Sequence, residues 1–258
     1  MSATTLAMKT AFTEKEARSA LSASSTSTLC TLHDSSPFQP NRTLLIDARG
    51  IGCFRLPLPA RQTEIAIHDA DGKLAYVSTR DRRWSGNSVL SNPQLGNLIR
   101  TDYFFGPNRH PTLRLLQTSS VLPEEIQVKG EWTSRSARFT TPSGSEFQWA
   151  YAKEKRPDGQ KVKLIILRAV GEPDCDHTHP PMQARRLAQL SRCAETRTPA
   201  TSRCSAGNGG TLQIDEEAVQ AHGLDESIVL ATCLVMLKRE IDRRRMIQMM
   251  VIGGAAGG

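Results

Sequence analysis

The chain has 258 residues, of which 38% are hydrophobic and 23% are charged. This composition suffices for one large domain or two small ones, and it excludes a fibrous repeat and a chain that is disordered throughout. The 33 lysines and arginines exceed the 26 acidic residues and give a net charge of +7, so anionic partners are favoured over cationic ones.

The first segment, residues 1–41, is rich in Ser, Thr and Ala, which predicts a disordered tail. It lacks the uninterrupted apolar run of a signal peptide, and Glu14 and Glu16 argue against a mitochondrial presequence. We therefore expect a cytoplasmic protein, with membrane-peripheral and nuclear locations as alternatives. The six cysteines of such a protein are expected to be reduced.

The middle of the chain consists of short runs in which apolar and polar residues alternate between turn residues, as in successive antiparallel strands. Residues 64–80 alternate on both sides of a turn at 69–72, which predicts a hairpin. A second hairpin is predicted for residues 137–154. The run "KVKLIILRAV" predicts a strand covered on both faces.

Two further stretches of the chain are less regular. Between the hairpins we expect a strand around residues 100–105. Residues 172–210 lose all periodicity and contain several prolines, which predicts a long surface loop with one short helix at 183–191. The glycine-rich run "AGNGG" at 206–210 is interpreted as a flexible linker within this loop.

The last part of the chain predicts two helices. A short one is expected to be capped by Asp215 and ended by Gly223, and a long one to begin after Asp225. The segment "IVLATCLVML", residues 228–237, is apolar around the whole helix except for Thr232. Because no polar face remains for water, this part of the helix must be surrounded by protein or lipid.

A bilayer is the less suitable environment for this helix. Ten helical residues span about 15 Å, half of a hydrocarbon core, and the charged run "KREIDRRR" at 238–245 follows at once. We therefore predict an α+β domain in which an antiparallel β-barrel encloses the apolar C-terminal helix and leaves no exposed edge strand. The methionine-rich run "MIQMMVIGG" at 246–254 is expected to close the barrel mouth, or alternatively to meet a partner.

This arrangement resembles the tubby-like superfamily, which includes the tubby C-terminal domain, the LURP-one-related proteins and the phospholipid scramblases. The resemblance is carried by "IAIHDADGKLAYVSTR" (65–80), "SEFQWAY" (145–151) and "LATCLVMLKREIDRRR" (230–245), and it is strongest to uncharacterised fungal members. It implies a barrel of about twelve strands around a central helix and, from the tubby branch, association with phosphoinositides or membranes. It carries over no functional residue, because the phosphoinositide-binding residues of tubby match no positions here.

The domain boundaries follow from these patterns. We predict a disordered Ser/Thr-rich tail at 1–41 and a barrel domain at 42–252 that includes the long loop at 172–210. A flexible Gly/Ala tail is predicted at 253–258. The scramblases' terminal membrane span and cysteine-rich lipidation cluster have no counterpart in the sequence.

Two basic clusters are candidate sites for anionic lipid. The first follows the first hairpin beside Trp84, where an aromatic ring among arginines suits a headgroup, and consists of Arg80, Arg82 and Arg83. The second lies on the long helix and consists of Lys238, Arg239, Arg243, Arg244 and Arg245. The alternative interpretations are solvated turn charges for the first cluster, and for the second a solvated collar paired with Glu240 and Asp242.

The sequence offers weak signals for a metal site and for catalysis. Cys175, His177 and His179 are of the ligand types that zinc prefers, and Cys193 and Cys204 follow them. Their spacing matches no standard zinc finger, so we expect no metal and no cofactor. A G-x-S-x-G elbow, an activated cysteine and a P-loop lysine are all missing, so we expect no enzyme and no catalytic residue.

Two functional hypotheses follow from the sequence. The first is a non-enzymatic tubby-like module that binds anionic phospholipid, such as a phosphoinositide, or a membrane surface through its basic clusters. The second is a soluble protein-interaction scaffold that uses the loop at 172–210. The expected partner is therefore a lipid surface or a protein rather than nucleic acid, and no transmembrane segment is expected.

Overall fold

The computed structural model describes residues 38–52, 62–83, 85–106, 109–117, 124–130, 134–155, 159, 161–170 and 185–256. The strands are β1 (Arg42–Ile51), β2 (Glu64–Asp69), β3 (Leu74–Thr79), β4 (Ser88–Asn92), β5 (Gly96–Asp102), β6 (Thr112–Leu115), β7 (Glu125–Lys129), β8 (Ala137–Thr140), β9 (Glu146–Lys155), β10 (Lys161–Val170), β11 (Arg186–Ser191) and β12 (Ala206–Ile214). The helices are α1 (Glu216–Ala221) and α2 (Glu226–Ala256).

The twelve strands form a closed antiparallel barrel in which each strand pairs with its neighbours in sequence. β12 completes the barrel by pairing with β1, where Leu44 lies opposite Leu212. The predicted α+β fold with a closed barrel and a C-terminal helix is thus confirmed. Because successive strands run in opposite directions, β1, β3, β5, β7, β9 and β11 all finish at one end, which we call the upper end; the other is the lower end.

Helix α2 runs through the barrel from the lower end to the upper end. At its start Glu226 accepts a hydrogen bond from Nε of Arg42, 3.0 Å away at the lower end of β1. Further along, Glu240 pairs with Arg192, which follows the upper end of β11. Between these contacts the apolar side chains are buried, and only Leu234 is partly exposed while packing against the core. The barrel wall therefore provides the surroundings that an apolar helix requires.

Thr232 is the polar residue of the apolar segment, and its hydroxyl has partners on both sides. The indole N–H of Trp149 on β9 donates to Thr232 Oγ1 at 3.0 Å. The hydroxyl in turn lies 2.8 Å from the carbonyl oxygen of Ile228, to which it donates within the helix. Both side chains are fully buried, so the pair satisfies an indole donor that would otherwise be lost inside the barrel.

Both predicted hairpins are confirmed, and so are the caps of the short helix. β2 pairs with β3 and β8 pairs with β9 in antiparallel register. The Asp215 carboxylate accepts a hydrogen bond from the backbone N–H of Ala218 at 2.9 Å at the start of α1. Gly223 follows the helix with a φ of +64°, a conformation that glycine adopts without strain.

The prediction of a continuous loop at 172–210 is wrong for two of its segments. Residues 186–191 form β11 rather than a helix, and the glycine-rich run at 206–210 begins β12. The predicted loop residues 172–184 lie outside the described part of the chain, while residues 192–205 connect β11 to β12 without a helix or strand. The scaffold hypothesis stays a prediction.

The glycines of this run serve close packing rather than flexibility. A Cβ atom on Gly207 would lie 2.6 Å from the carbonyl oxygen of Leu237 on α2, and Gly207 has a φ of +71°. A Cβ atom on Gly209 would lie 2.9 Å from the backbone nitrogen of Ala48 on β1. The absence of side chains thus lets β12 approach both the helix and its neighbouring strand.

Two other boundaries differ from the sequence-based expectation. The strand expected around residues 100–105 is β5, which pairs with β4 in a hairpin and ends at Asp102. The tail predicted at 253–258 is helical as far as Ala256, because a long helix propagates through residues that would not start one. Within the described part of the chain no helix is long and apolar enough to span a bilayer.

Candidate anion-binding site at the upper end

The two predicted basic clusters lie at the same end of the barrel. Arg80, Arg82 and Arg83 follow β3 at its upper end, and the basic run of α2 leaves the barrel there. The two clusters are close enough to interact electrostatically. Burial lowers the pKa of Arg80 most, and the positive charge of Arg245 lowers it further. An up-and-down topology has thus joined two clusters that are far apart in sequence. Trp84 lies outside the described residues.

The helical cluster pairs with Asp242 at helical spacing, as the collar interpretation predicts, but Lys238 and Arg245 are largely buried rather than solvated. Lys238 Nζ lies 2.7 Å from Oδ1 of Asp242, a fully buried carboxylate, and Arg245 Nη1 lies 3.6 Å from the same oxygen. Burial lowers the pKa of Lys238, the Asp242 charge opposes this, and Arg245 and Arg80 lower it further. Two cations therefore share one carboxylate, and Arg80 adds a third positive charge near Lys238.

A second ion pair fixes the helix to the opposite side of the barrel. Arg192 binds both carboxylate oxygens of Glu240, at 2.6 and 2.8 Å. The backbone N–H of Gly207 donates to Oε2 at 2.9 Å, and the Tyr151 hydroxyl also donates to this carboxylate. Burial acts to raise the pKa of Glu240, but the hydrogen bonds and charge of Arg192 outweigh it and lower the pKa.

The remaining helical arginines donate to backbone carbonyl groups of the upper loops. Arg239 Nη2 lies 3.0 Å from the carbonyl oxygen of Gly130, Arg243 Nη1 lies 3.1 Å from that of Ser134, and Arg244 Nη2 lies 3.2 Å from that of Cys204. A carbonyl oxygen holds the guanidinium without cancelling its charge. The cationic rim is the set Arg80, Arg192, Lys238, Arg239, Arg243, Arg244 and Arg245.

The charge of the cationic rim is only partly compensated. Among the described residues, the carboxylates in contact with the rim are those of Glu240 and Asp242. Arg82 and Arg83 add exposed positive charge beside it, next to the exposed Asp81. At the lower end the turns and helix starts carry many carboxylates instead: Asp69, Asp71, Glu124, Glu125, Glu146, Asp215, Glu216, Glu217, Asp225 and Glu226. Basic residues lie among these carboxylates, and Arg42, Arg114, Arg138 and Arg185 pair with Glu226, Glu125, Glu146 and Asp215. The upper end thus carries more positive charge than the lower end.

Apolar side chains project beyond the cationic rim. The expectation that the methionine-rich run closes the barrel mouth is wrong, since α2 continues outward and Met250 and Val251 are each 66% exposed. Ile247, Met249 and Ile252 are exposed on the same segment. At the same end, Phe104 follows β5 and is 56% exposed, with the exposed Phe105 beside it. These exposed apolar side chains thus lie next to the cationic rim. We call residues 246–252 the apolar tip.

Several residues of this site could not be predicted from the sequence. Nothing in the local sequence around Arg192 distinguishes it, because its partner Glu240 lies on a different element. The alternation around residues 100–105 predicts a strand, and a strand pattern does not show that Phe104 is exposed. The apolar run after Arg245 is visible in the sequence, but its composition alone does not show that it projects from the barrel instead of closing it.

The weak metal candidates Cys175, His177 and His179 lie outside the described residues. In the described ranges no three metal-ligating side chains come together. Burial raises the pKa of the Cys233 thiol to about 12. A buried neutral thiol of this kind acts as a small apolar residue.

Comparison of the chain with protein-family models, with curated proteins and with solved structures finds no match. The resemblance to the tubby-like superfamily therefore stays a prediction.

Proposed function

We propose that the chain is a non-enzymatic tubby-like module that docks its upper end on anionic membrane surfaces, including those containing phosphoinositides. The observation that carries this proposal is the exposed apolar end of α2, which emerges through the cationic rim. An apolar helix end in water is unfavourable unless a partner covers it. An anionic lipid bilayer, which has an apolar interior and a negatively charged surface, matches both the apolar end of α2 and the cationic rim.

The dimensions of the tip agree with shallow insertion. Residues 246–252 extend α2 by about 10 Å, while interfacial segments bury about 5–10 Å into the boundary between headgroups and acyl chains. With the tip inserted, the cationic rim and the exposed Arg82 and Arg83 stand at the level of the headgroups. Each basic residue near an anionic surface contributes about 1 kcal/mol.

The lower end of the barrel supports this orientation by its opposite charge. Carboxylates such as Asp71 and Glu217 would be repelled by an anionic surface, while the upper end is attracted to it. The charge asymmetry therefore steers the molecule before contact, and the apolar tip holds it afterwards.

Flotation of the full chain with vesicles tests the proposal. We expect binding to vesicles of phosphatidylcholine mixed with phosphatidylserine, stronger binding when a phosphoinositide is added, and weaker binding in 0.5 M salt than at low salt. Neutral phosphatidylcholine vesicles serve as the control. If the protein floats with none of these vesicles, or floats equally with neutral and anionic ones, the proposal is wrong.

A further inference from the structure

A cavity of about 60 Å³ lies inside the barrel, between α2 and strands β2 to β5. Its wall is apolar where Ile65, Ala231 and Leu234 line it, and it is cationic where Arg80 and Lys238 line it. The hydroxyl-bearing Thr101 lies between these regions in the wall. Such a mixture is typical of sites for small molecules, in which few polar groups orient a mostly apolar ligand.

The apolar and cationic parts of the cavity are separated along the barrel axis. Lys238 follows Ala231 by seven residues, which places it about 10 Å nearer the upper end on the same helix. Arg80 follows β3 at that same upper end. The cavity is therefore apolar in its depth and positively charged towards the rim.

The cations of the cavity exceed the negative charge available to them. Asp242 is the carboxylate shared by Lys238 and Arg245, while Arg80 donates to the backbone carbonyl of Gln62, which carries no net charge. An anion in the cavity next to Arg80 and Lys238 would therefore be attracted by both side chains.

We propose that this cavity binds an aliphatic monocarboxylate of about two to four carbons. Its carboxylate accepts hydrogen bonds from Arg80 and Lys238, and its chain packs against Ile65, Ala231 and Leu234. The length follows from the volume, because about 10–15 Å³ of cavity holds one atom of the size of a water molecule, so that about 60 Å³ holds about four to six atoms, two of which are the carboxylate oxygens. The cavity lies inside the barrel and shares Arg80 and Lys238 with the cationic rim.

Calorimetric titration of the full chain with butyrate tests this proposal, with butanol, butylamine and inorganic phosphate as comparison ligands. We expect butyrate to bind more tightly than the other three, since only butyrate offers both an anion and an apolar chain. The substitution Arg80→Gln is expected to weaken butyrate binding about tenfold or more, because it removes a charged hydrogen-bond donor. Lys129→Gln, on the outside of β7, is the matched control and is expected to leave binding unchanged.

A second variant tests the cavity itself rather than its charge. Ala231→Leu fills the space next to the helix and is expected to abolish butyrate binding, with thermal unfolding used to show that the protein remains folded. The same variant should float with anionic vesicles like the wild type, so that failure of this inference is distinguishable from failure of the proposed membrane docking. The inference is overturned if butyrate does not bind, if butanol or phosphate binds as tightly, or if Arg80→Gln and Lys129→Gln bind butyrate equally.

Discussion

Thr232 shows how a single polar atom stabilises an apolar interior. Thr232→Val keeps the shape of the side chain but removes the oxygen that accepts the N–H of Trp149. We expect a loss of about 1–3 kcal/mol in the free energy of unfolding, because the buried indole donor is left without a partner. Urea denaturation measures this loss. Thr232→Ser, which keeps the hydroxyl, should lose less than Thr232→Val, and equal losses would show that the hydrogen bond is unimportant.

Glu240 makes a second prediction at the residue scale, through its ion pair with Arg192. Its pKa in the folded protein is below the ordinary value of 4.5, so the pair contributes stability that is present above about pH 4.5 and is lost as the pH falls towards the folded-state pKa. We expect Glu240→Gln to lower the free energy of unfolding at pH 7 by about 3–5 kcal/mol, since Arg192 is left buried without its counter-ion.

The pH dependence provides the check on this prediction. The difference in unfolding free energy between wild type and Glu240→Gln should shrink as the pH is lowered below about 4.5. Denaturant titrations at several pH values measure the difference. A difference that is the same at pH 7 and at pH 3 would contradict an ionised Glu240 in the folded protein.

At the scale of elements, the contact between β12 and α2 depends on the missing side chain of Gly207. Gly207→Ala places a Cβ atom 2.6 Å from the carbonyl oxygen of Leu237 and forces alanine into a positive φ. We expect destabilisation of about 2 kcal/mol or more from these two effects. Gly52→Ala is the control, because a Cβ atom there has no neighbour within 4 Å. Thermal unfolding of the two variants compares them, and similar melting temperatures would contradict the packing argument.

The projecting end of α2 gives the second prediction at this scale. The double substitution Met250→Ser and Val251→Ser removes apolar surface that is already exposed, so stability should change little. Binding to anionic vesicles should weaken about tenfold or more, because two inserted side chains are lost. Leu95→Ser is the control, since Leu95 is 63% exposed but lies in the β4–β5 turn at the lower end. If Leu95→Ser weakens vesicle binding as much, the upper end is not the docking surface.

At the scale of the whole molecule, charge polarity along the barrel axis orients the protein. Arg82→Gln at the upper end should weaken binding to anionic vesicles about fivefold at low salt, the effect expected of one basic residue near the surface. Lys73→Gln, in the β2–β3 turn of the lower end, removes the same charge and should leave binding nearly unchanged. Co-sedimentation at low and high salt measures both variants. Equal effects would mean that net charge rather than orientation governs binding.

The two hairpins, the start of α1 and the need for an enclosing barrel could be predicted from local sequence patterns. The alternation of apolar and polar residues in "EIAIHDADGKLAYVSTR" is a property of neighbouring residues. The same is true of the N-cap residue Asp215 and the helical pattern that follows it in α1. The apolar circumference of residues 228–237 required a surrounding wall, because burial is the only stable state of such a helix in water. These inferences needed no knowledge of distant contacts.

The role of the glycine-rich run and the arrangement of the charges could not be predicted from local sequence, because both depend on contacts between distant residues. The glycines at 207 and 209 are explained by α2 and β1, which contact them from elsewhere in the chain. Arg192 meets Glu240, and Arg80 lies near Arg245, because the up-and-down strand order returns every second strand end to the same place. Local sequence patterns record hydrophobicity and backbone preference, whereas the meeting of distant side chains depends on the number and register of all the strands between them.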